Sequence, residues 1–342
     1  MDFALTDDQR AIQDAARAFP YARPRRLRSQ PWVRRLVAET TLTPADLIWP
    51  LIVHDGDEDR QPVASMPGVF RLSPKEAAKA AVEARDLGIP VLALFPFNEG
   101  GCRDETGSEA LNPDNLVCRA TRAIKTAVPE VGILCDVALD PYTSHGHDGI
   151  VHNGRIDNDR SVEVLCRQAI VQAEAGCDIV GPSDMMDGRV ALIRQALDDS
   201  GLQDTMIMSY SAKYASVFYS TFRDAVGSSG VLKGDKRTYQ MDMGNCAEAL
   251  REAAQDIDEG ADMIMVKPGL PYLDVLTRLV QEFNIPCFAY QTSGEYSMMM
   301  ASAERGWLDG DAAMMEVLTA YKRAGAAGIL TYFAPRAAAA LA

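Results

Sequence analysis

The sequence lacks the features of membrane and secreted proteins. It has no apolar run that approaches the ~20 residues a membrane-spanning helix needs, and its seven cysteines are odd in number with no CxxC pair. Scattered cysteines of this kind predict reduced thiols rather than a disulfide framework. The opening segment, MDFALTDDQR, carries acidic residues early and has no apolar core, which argues against a secretory signal. We therefore predict a cytoplasmic protein with no membrane partner.

Positive charge is also scarce. Lysine and arginine number 34 against 48 aspartate and glutamate residues, which gives a formal net charge of −14. So acidic a chain disfavours binding to nucleic acid. Six arginines nevertheless lie between residues 23 and 35, after a predicted amphipathic helix from Thr6 to about Phe19. A nucleic-acid arm is one interpretation; because of the net charge, we favour an oligomerisation arm, residues 1–38, that lies on an acidic surface of a second subunit.

Eight short apolar or β-branched runs recur along the rest of the chain, with helical patterns between them. Among the helices, 73–88, 245–260 and 309–328 each begin at a polar residue and end at a glycine. The predicted strands are 47–53, 90–96, 131–139, 177–182, 205–211, 261–267, 286–291 and 327–333. This alternation predicts an α/β fold, a (β/α)8 TIM barrel over residues 39–342. A doubly wound open sheet is the alternative, although the first strand lacks the glycine-rich turn of a dinucleotide site.

The carboxyl ends of the predicted strands carry most of the reactive side chains. A TIM barrel builds its chemistry at that end, so residues that follow different strands are expected to meet at one mouth. In chain order they are Asp136, Asp140, His145, His147, Asp148, Ser183, Asp184, Asp187, Ser211, Lys213, Lys267, Ser293 and Tyr332. The set contains two lysines on neighbouring strands, the fifth and the sixth.

Lys267 ends the apolar run MIMV, although lysine is among the residues least often buried. An amine becomes a nucleophile near neutral pH if burial or a second cation lowers its pKa, and Lys213 would supply that cation. Such an amine forms a Schiff base with a ketone or an aldehyde. For one lysine, a side chain that reaches solvent or pairs with a carboxylate is the simpler explanation, whereas two lysines on adjacent strands favour catalysis.

The HGH segment at 145–147 permits another interpretation. Two histidines one residue apart bind zinc in some hydrolytic barrels. The sequence has only two further histidines, His54 and His152, so a metal hydrolase is poorly supplied with ligands. The same strand-end residues are also compatible with a class I aldolase and with a non-catalytic barrel scaffold.

The connection between the fifth and sixth strands, residues 212–260, is long. Its first part, around residues 214–240, mixes glycines and aromatic residues with the cations Arg223, Lys236 and Arg237. Loops of this kind often close over a barrel mouth and exclude water. We predict a lid whose cations meet an anionic substrate.

Six segments taken together resemble one family. DVALDPYTSHGHDG, SYSAKYASVFYSTFRDA, GDKRTYQMD, MVKPGLPYLD, YQTSGEY and TYFAP occur in this order. They resemble the porphobilinogen synthase (5-aminolevulinate dehydratase) family, with similarity from about Pro24 to Pro335. The resemblance implies a (β/α)8 barrel with an N-terminal arm that assembles octamers, or hexamers of a less active form. It also implies asymmetric condensation of two 5-aminolevulinate molecules to porphobilinogen with loss of two waters, an early step of tetrapyrrole biosynthesis.

The resemblance also implies roles for residues of the site. Lys267 would form a Schiff base with the substrate that becomes the propionate side, and Lys213 with the acetate-side substrate. Ser293 and Tyr332 match the positions that hold the first carboxylate. The second carboxylate would be held by Arg223, Lys236 and Gln240, and the other expected substrate-binding residues are Asp136, Asp140, Asp148, Ser183, Tyr219 and Phe222.

The metal is where this sequence departs from the zinc-dependent branch of the family. That branch has cysteines at the positions of Ala138, Asp140 and Asp148, and without thiolates no tight zinc site is expected. Asp140 and Asp148 would bind the substrate amine instead, and no organic cofactor is expected. The resemblance further implies an allosteric magnesium ion, whether or not catalysis depends on it, at Arg23, Asp187, Glu252 and Asp256, some of them through water.

Two of these residues support the magnesium site by their spacing. Glu252 and Asp256 are four residues apart on one predicted helix, so both are expected to reach one hydrated ion. Ordinary acidic residues on a helix surface are the alternative.

Overall fold

The computed structural model describes residues 5–18, 23–98, 100–227 and 230–342. The chain divides into two compact units, Met1–Thr41 and Leu42–Ala342. The first unit holds the helices α1 (Asp7–Ala18) and α2 (Pro31–Leu36), with a 3₁₀ turn, Pro24–Arg28, between them. Helix α1 corresponds to the predicted N-terminal helix, whose expected end at Phe19 lies outside the described residues.

The second unit is built around a closed parallel barrel. The strands are β1 (Leu47–His54), β2 (Arg60–Pro62), β3 (Phe70–Leu72), β4 (Val91–Phe97), β5 (Gly132–Val137), β6 (Ile150–His152), β7 (Arg155–Asp157), β8 (Ile179–Pro182), β9 (Met206–Lys213), β10 (Met263–Lys267), β11 (Cys287–Gln291) and β12 (Gly328–Thr331). Strands β1, β4, β5, β8, β9, β10, β11 and β12 pair in parallel in that order, and β12 pairs back with β1 to close the ring. Each of the eight predicted runs overlaps one of these strands, with ends that differ by at most two residues, so the predicted TIM barrel is confirmed.

Helices follow the barrel strands. They are α3 (Pro74–Asp86), α4 (Leu116–Ala127), α5 (Asn158–Glu174), α6 (Arg189–Asp199), α7 (Ser220–Ala225), α8 (Ala247–Asp258), α9 (Leu273–Glu282), α10 (Ser293–Glu304), α11 (Gly310–Arg323) and α12 (Ala334–Leu341). The three helices predicted from their polar and glycine ends correspond to α3, α8 and α11. At α3, the Ser73 side chain accepts a hydrogen bond from the backbone N–H of Glu76 at 3.3 Å. Just beyond α3, Gly88 has φ +74°, a left-handed conformation that glycine adopts at little cost.

Two small strand pairs were not predicted. Strands β2 and β3 are antiparallel to each other, and β3 continues the sheet beside the end of β1, where Arg71 pairs with Ile52. Strands β6 and β7 form a separate antiparallel pair. Each of these strands is three residues long, too short for an alternating pattern to distinguish it from a loop. The first pair matters for the site, because it brings Arg71 to the carboxyl end of the barrel.

The cysteines and the apolar segments agree with the sequence-based predictions. All seven cysteines are free. Within the described ranges, no helix combines the length and the apolar character that crossing a membrane requires.

Candidate active site

Two lysines meet at the carboxyl end of the barrel. Lys213 ends β9 and Lys267 ends β10, and the two residues are direct partners in the parallel ladder. Only 5% of Lys213 and 6% of Lys267 is exposed. Because neighbouring strands lie about 4.8 Å apart, the two amines share one desolvated mouth. The structure therefore brings together the two lysines that the sequence singled out.

Lys267 is enclosed by aromatic rings. Four ring centroids lie near its Nζ: Tyr290 at 4.6 Å, Tyr210 at 5.0 Å, Phe222 at 5.1 Å and Tyr219 at 5.5 Å. Burial, aided by the charge of Lys213, lowers the pKa of Lys267 from its ordinary 10.5 to about 7. Aromatic faces attract a cation, but the loss of hydration outweighs that attraction. A large share of Lys267 is therefore the free amine at neutral pH.

Lys213 has a polar environment instead. Its Nζ lies 3.1 Å from Oδ1 of Asp148 and also donates a hydrogen bond to the carbonyl oxygen of Ser183. Burial favours the neutral form of Asp148, but Lys213 and Lys236 outweigh it and hold the pKa of Asp148 well below its usual range. Lys213 is thus paired with a carboxylate that stays ionised at neutral pH.

Lys236 lies between two carboxylates. Its Nζ is 2.6 Å from Oδ2 of Asp148 and 3.1 Å from Oδ2 of Asp140. Burial opposes its charge, but the two carboxylates outweigh burial and raise the pKa of Lys236. Tyr239 adds a hydrogen bond from its hydroxyl to Oδ2 of Asp148 at 2.9 Å. Lys236 was expected to hold a substrate carboxylate, and such a carboxylate would have to compete with these two protein carboxylates.

Two of the predicted substrate-binding side chains have an unpaired buried atom. Oδ1 of Asp136 and Oγ of Ser293 have no hydrogen-bond partner among the described residues. Burial raises the pKa of Asp136 to about 6, although Lys267 and Lys213 pull it down. Because buried polar atoms are nearly always hydrogen-bonded, these two atoms are suited to bind a ligand.

Tyr332 and Ser293 lie beyond the ends of β12 and β11. The hydroxyl of Tyr332 is 3.1 Å from that of Tyr290, one of the rings around Lys267. Ser293 is the first residue of α10, and the N-terminus of a helix favours an anion. Two hydroxyls and a helix N-terminus at the carboxyl end of the barrel suit the recognition of a carboxylate.

The predicted lid contributes two of the four rings. Its 3₁₀ turn, Val217–Tyr219, leads into α7. The hydroxyl of Tyr219 donates a hydrogen bond to the carbonyl oxygen of Lys267 at 3.0 Å. The Phe222 ring packs edge-on against Phe95 of β4, with 5.4 Å between centroids. The half-buried guanidinium of Arg223 makes no hydrogen bond or ion pair within the described part of the chain.

Gln240 lies beside the mouth rather than over Lys267. It is buried and lines a cavity of about 1190 Å³ together with His147, Tyr239, Asp187 and Glu252. Neither lysine lines this cavity. Asp187 and Glu252, two of the residues expected to bind magnesium, therefore border a cavity that neither lysine lines.

Asp256 was expected to contact a hydrated ion, but its carboxylate is engaged inside the protein. It is buried on α8, with Oδ2 accepting a hydrogen bond from Ser209 at 2.7 Å and Oδ1 lying 3.3 Å from Nη1 of Arg189. A second carboxylate, Asp184, lies 3.7 Å from Nε of Arg189. Since Arg189 balances its charge inside the protein, Asp256 does not share a solvent-facing position with Glu252.

The other predicted magnesium residues are distributed between the two units. Glu252 is half-buried, and burial raises its pKa, with the carboxylates of Asp256 and Asp187 adding to the shift. Arg23 belongs to the first unit. In the ranges that the structure describes, no group of three or more histidine, cysteine, aspartate or glutamate side chains is arranged to hold a metal ion.

Both histidines of the HGH segment are engaged by the protein. Nδ1 of His145 accepts a hydrogen bond from the backbone N–H of His147 at 3.2 Å, and its Nε2 faces the carbonyl oxygen of Glu105 at 3.3 Å. The ring nitrogens of His147 face the hydroxyl of Tyr239 at 3.0 Å and the carbonyl oxygen of Lys233 at 2.8 Å. These contacts disfavour a metal hydrolase.

Sequence reasoning missed several residues of the site. Tyr210 and Tyr290 lie within correctly predicted strands, and a tyrosine in an aliphatic strand is a usable signal, because a buried hydroxyl usually needs a polar neighbour. The hydroxyl of Tyr290 meets that of Tyr332, whereas the hydroxyl of Tyr210 has no partner among the described residues. Tyr239 and Arg189 gave no comparable signal, since their partners are distant in sequence. Arg189 and Asp256, for example, are 67 positions apart.

Known proteins resemble this chain over nearly its full length. The family model described as "Delta-aminolevulinic acid dehydratase" matches residues 21–340. The protein of that name from Bradyrhizobium diazoefficiens is 63% identical over 316 residues, which cover 92% of this chain and 90% of the relative. The one from Rhodobacter capsulatus is 52% identical over 320 residues, which cover 94% of this chain and 96% of the relative.

One solved structure also resembles this chain closely, in fold and in sequence. It is the delta-aminolevulinic acid dehydratase (porphobilinogen synthase) of Toxoplasma gondii in complex with the reaction product porphobilinogen. The TM-score is 0.91 at 51% sequence identity, over 93% of this chain and 91% of that one.

Proposed function

The chain belongs to the delta-aminolevulinic acid dehydratase family, and we propose that its buried lysine pair condenses two 5-aminolevulinate molecules to porphobilinogen. The activity is that of a hydro-lyase: two waters leave as the two substrates join, in an early step of tetrapyrrole biosynthesis. The observation that carries the proposal is the desolvated amine of Lys267, with a pKa of about 7, directly opposite Lys213. A ketone substrate forms a Schiff base only with an unprotonated amine.

The two lysines would have different tasks. Lys267 forms the Schiff base with the substrate that becomes the propionate side, and its four aromatic neighbours keep water away from the imine. Lys213 forms the Schiff base with the acetate-side substrate, and the proton transfers of that step need a base. Asp148 is close but too weak a base, whereas Asp136, with a pKa of about 6, can exchange protons near neutral pH.

The two substrate carboxylates would bind on opposite sides of the lysines. Ser293 Oγ, which has no partner among the described residues, and the Tyr332 hydroxyl would hold the first. Arg223 is the best candidate for the second, because its guanidinium is uncommitted within the described residues, with Gln240 and Lys236 as further donors. Lys236 would contribute only by giving up part of its contact with Asp140 or Asp148.

The amine of the acetate-side substrate would bind at Asp140. Both carboxylate oxygens of Asp148 are already engaged, by Lys213 and by Lys236 with Tyr239. Asp140 has the 3.1 Å contact with Lys236 as its one ion pair within the described residues, so it has room for a second cation. The carbonyl of Ser183 orients Lys213 from the other side.

Magnesium fits two of the four predicted residues, Glu252 and Asp187, better than the whole set. A magnesium ion keeps several waters and needs one or two carboxylates, and Glu252 with Asp187 lines a cavity wide enough for a hydrated ion. Neighbouring carboxylates repel each other around Glu252, and a bound cation would relieve that repulsion. Asp256 would act only through Arg189 and water, and Arg23 of an N-terminal arm would lie beyond the water shell.

Assembly and location are the remaining parts of the proposal. The N-terminal unit combines arginines with the apolar residues Leu27, Trp32 and Leu36, a composition suited to a protein surface of opposite charge. We propose a homo-oligomer, an octamer with a hexamer as the alternative form, that works in the cytoplasm. Native mass measurement, with and without residues 1–38, tests the assembly.

Reductive trapping tests the chemistry. Borohydride added in the presence of 5-aminolevulinate should leave a stable mass adduct on Lys267 and on Lys213, and the same preparation should form porphobilinogen. Trapping by sugar phosphates in place of 5-aminolevulinate would indicate an aldolase. An absence of adduct at both lysines would contradict the proposal.

A further inference from the structure

Arg71 holds the end of the lid helix α7. Its Nε donates a hydrogen bond to the carbonyl oxygen of Ala225 at 2.7 Å, and its Nη2 donates to that of Asp224 at 2.8 Å. The guanidinium lies 4.0 Å from the ring centroid of Phe97, which supports it from the barrel side. Ser65 adds a hydrogen bond from its hydroxyl to Oδ2 of Asp224 at 2.5 Å. Arg71 lies on β3, Ser65 in the connection that precedes β3, and Phe97 at the end of β4.

Arg103 holds the next two residues of the lid. Its Nη2 lies 3.2 Å from the carbonyl oxygen of Val226 and 3.4 Å from that of Gly227. Its Nη1 donates to the carbonyl oxygen of Asp140 at 3.2 Å, so one guanidinium joins the lid to a loop of the mouth. Gly227 has φ +68°, and a Cβ there would lie 2.5 Å from the Phe97 ring. Only glycine lets the chain rest on that ring.

The two arginines thus engage four consecutive carbonyl groups at the C-terminal end of α7. The last carbonyls of a helix have no partner within the helix and carry its negative end, so cationic donors are well matched to them. Both guanidinium groups are partly buried, and burial lowers the pKa of each. Burying a charge costs free energy unless specific contacts offset it. Here the offsetting contacts are made to the lid.

The other end of the same segment rests on α10. A side chain at Gly294 would collide with the carbonyl oxygen of Phe218, so the absence of one lets the 3₁₀ turn of the lid approach closely. Between these two supports lie Tyr219 and Phe222, the lid's contribution to the enclosure of Lys267. Nothing in the sequence marked Arg71 or Arg103 as part of the site.

We propose that Arg71 and Arg103 are positioning residues that hold the lid closed and so complete the aromatic enclosure of Lys267. The inference rests on the proposed function, since it takes Lys267 as a Schiff-base lysine. Without these arginines, Tyr219 and Phe222 move away and water reaches the imine at Lys267. Lys213 is affected less, because its partners Asp148 and Ser183 lie outside the lid.

Trapping at the two lysines of one sample tests the inference. Arg71→Ala and Arg103→Ala, treated with 5-aminolevulinate and borohydride, should each lower the ratio of adduct at Lys267 to adduct at Lys213 by at least about tenfold, since each loses two charge-assisted hydrogen bonds to the lid. Arg60→Ala is the matched control: Arg60 lies on the same small strand pair and stacks on Phe70 at 4.7 Å, not on the lid. It should leave the ratio unchanged.

Limited proteolysis tests the position of the lid without relying on Schiff-base formation. Trypsin should cut after Arg223 several-fold faster in Arg71→Ala and Arg103→Ala than in the parent protein or in Arg60→Ala. The inference would be overturned if both single variants kept the parent's ratio of adducts, or if both were cut after Arg223 at the parent's rate. An equal loss of adduct at both lysines would indicate general unfolding and would also overturn it. If the parent protein forms no adduct at either lysine, the proposed function fails, and the cleavage rates alone decide the role of the arginines.

Discussion

Lys213 and Lys267 face each other on neighbouring strands, and their surroundings are opposite in character. A carboxylate oxygen of Asp148 lies 3.1 Å from Nζ of Lys213, whereas four aromatic ring centroids lie within 5.5 Å of Nζ of Lys267. Burial among the rings lowers the pKa of Lys267 to about 7 and favours its neutral amine, whereas the amine of Lys213 lies against a carboxylate. Two equal side chains can therefore react with the same ketone at different stages.

Replacing each lysine should separate those stages. Lys267→Met and Lys213→Met should both abolish porphobilinogen formation, because each removes one Schiff base. Lys267→Met should still be trapped at Lys213 by 5-aminolevulinate and borohydride, and Lys213→Met at Lys267. Peptide mass mapping checks both adducts, and measurable turnover by either variant would exclude its lysine as an essential nucleophile.

The pKa of Lys267 predicts how activity depends on pH. Since the neutral amine reacts, kcat/KM should rise with pH and level off above about 7. Phe222→Ala opens the enclosure to water, so the pKa of Lys267 should move back towards 10.5 and the rising limb should shift to higher pH. A profile with the same limb in Phe222→Ala would show that another group controls it.

The same shift predicts a dependence of stability on pH. The folded-state pKa of Lys267 is below its ordinary value, so between about 7 and 10.5 the unfolded chain binds more protons at this site, and the free energy of unfolding rises with pH. Below that window the buried ammonium destabilises the fold. Lys267→Met should therefore raise the free energy of unfolding at about pH 6, by on the order of 4 kcal/mol, and by less near pH 9. Urea unfolding at the two pH values checks this, and a gain that does not depend on pH would contradict it.

Arg223→Ala should mainly weaken binding of the second substrate. A charge-assisted contact worth roughly 1.5–3 kcal/mol would be lost, which is about a ten- to hundredfold rise in KM. Trapping at Lys267 should persist, because the first carboxylate is assigned to Ser293 and Tyr332. An unchanged dependence of rate on substrate concentration would show that Arg223 does not hold the carboxylate.

Glu252→Ala and Asp256→Ala should have different effects, because Glu252 is assigned to the magnesium site and Asp256 to a buried ion pair. Glu252→Ala should remove stimulation by magnesium after chelation and leave trapping at Lys267 intact. Asp256→Ala leaves Arg189 with Asp184 as its one ion-pair partner within the described residues and should lower the free energy of unfolding by about 3–5 kcal/mol, with or without magnesium. Activity, native mass and urea unfolding, each with magnesium and then zinc added back, distinguish these outcomes.

The barrel and its lysine pair could be predicted because both depend on local pattern. Buried parallel strands are short apolar runs, and the position of a side chain at a strand's end places it at the mouth whatever the neighbouring loops do. Lys213, Lys267, Ser293 and Tyr332 are all positioned in this way. The register of β9 against β10 then fixes the lysines side by side.

The contacts that the charged side chains of the site make could not be predicted, because they join residues that are distant in sequence. Lys236 and Asp140 are 96 positions apart, and Arg71 and Ala225 are 154 apart. Asp140 and Lys236 could each be assigned to the site from their own segments, but not to each other, and Arg71 had no signal at all. Their roles depend on which loops meet above the barrel, and that follows from packing rather than from spacing.

The aromatic enclosure of Lys267 has a magnetic consequence. Ring currents shift the resonances of nuclei near aromatic faces, so the ε-methylene protons of Lys267 should resonate apart from those of exposed lysines in a protein carrying ¹³C-labelled lysine. That signal would follow the distances from the amine to Tyr219 and Phe222, and it would move towards the ordinary lysine position whenever the two rings withdraw. A single methylene group would thus report, without substrate, what fraction of the molecules have the mouth closed.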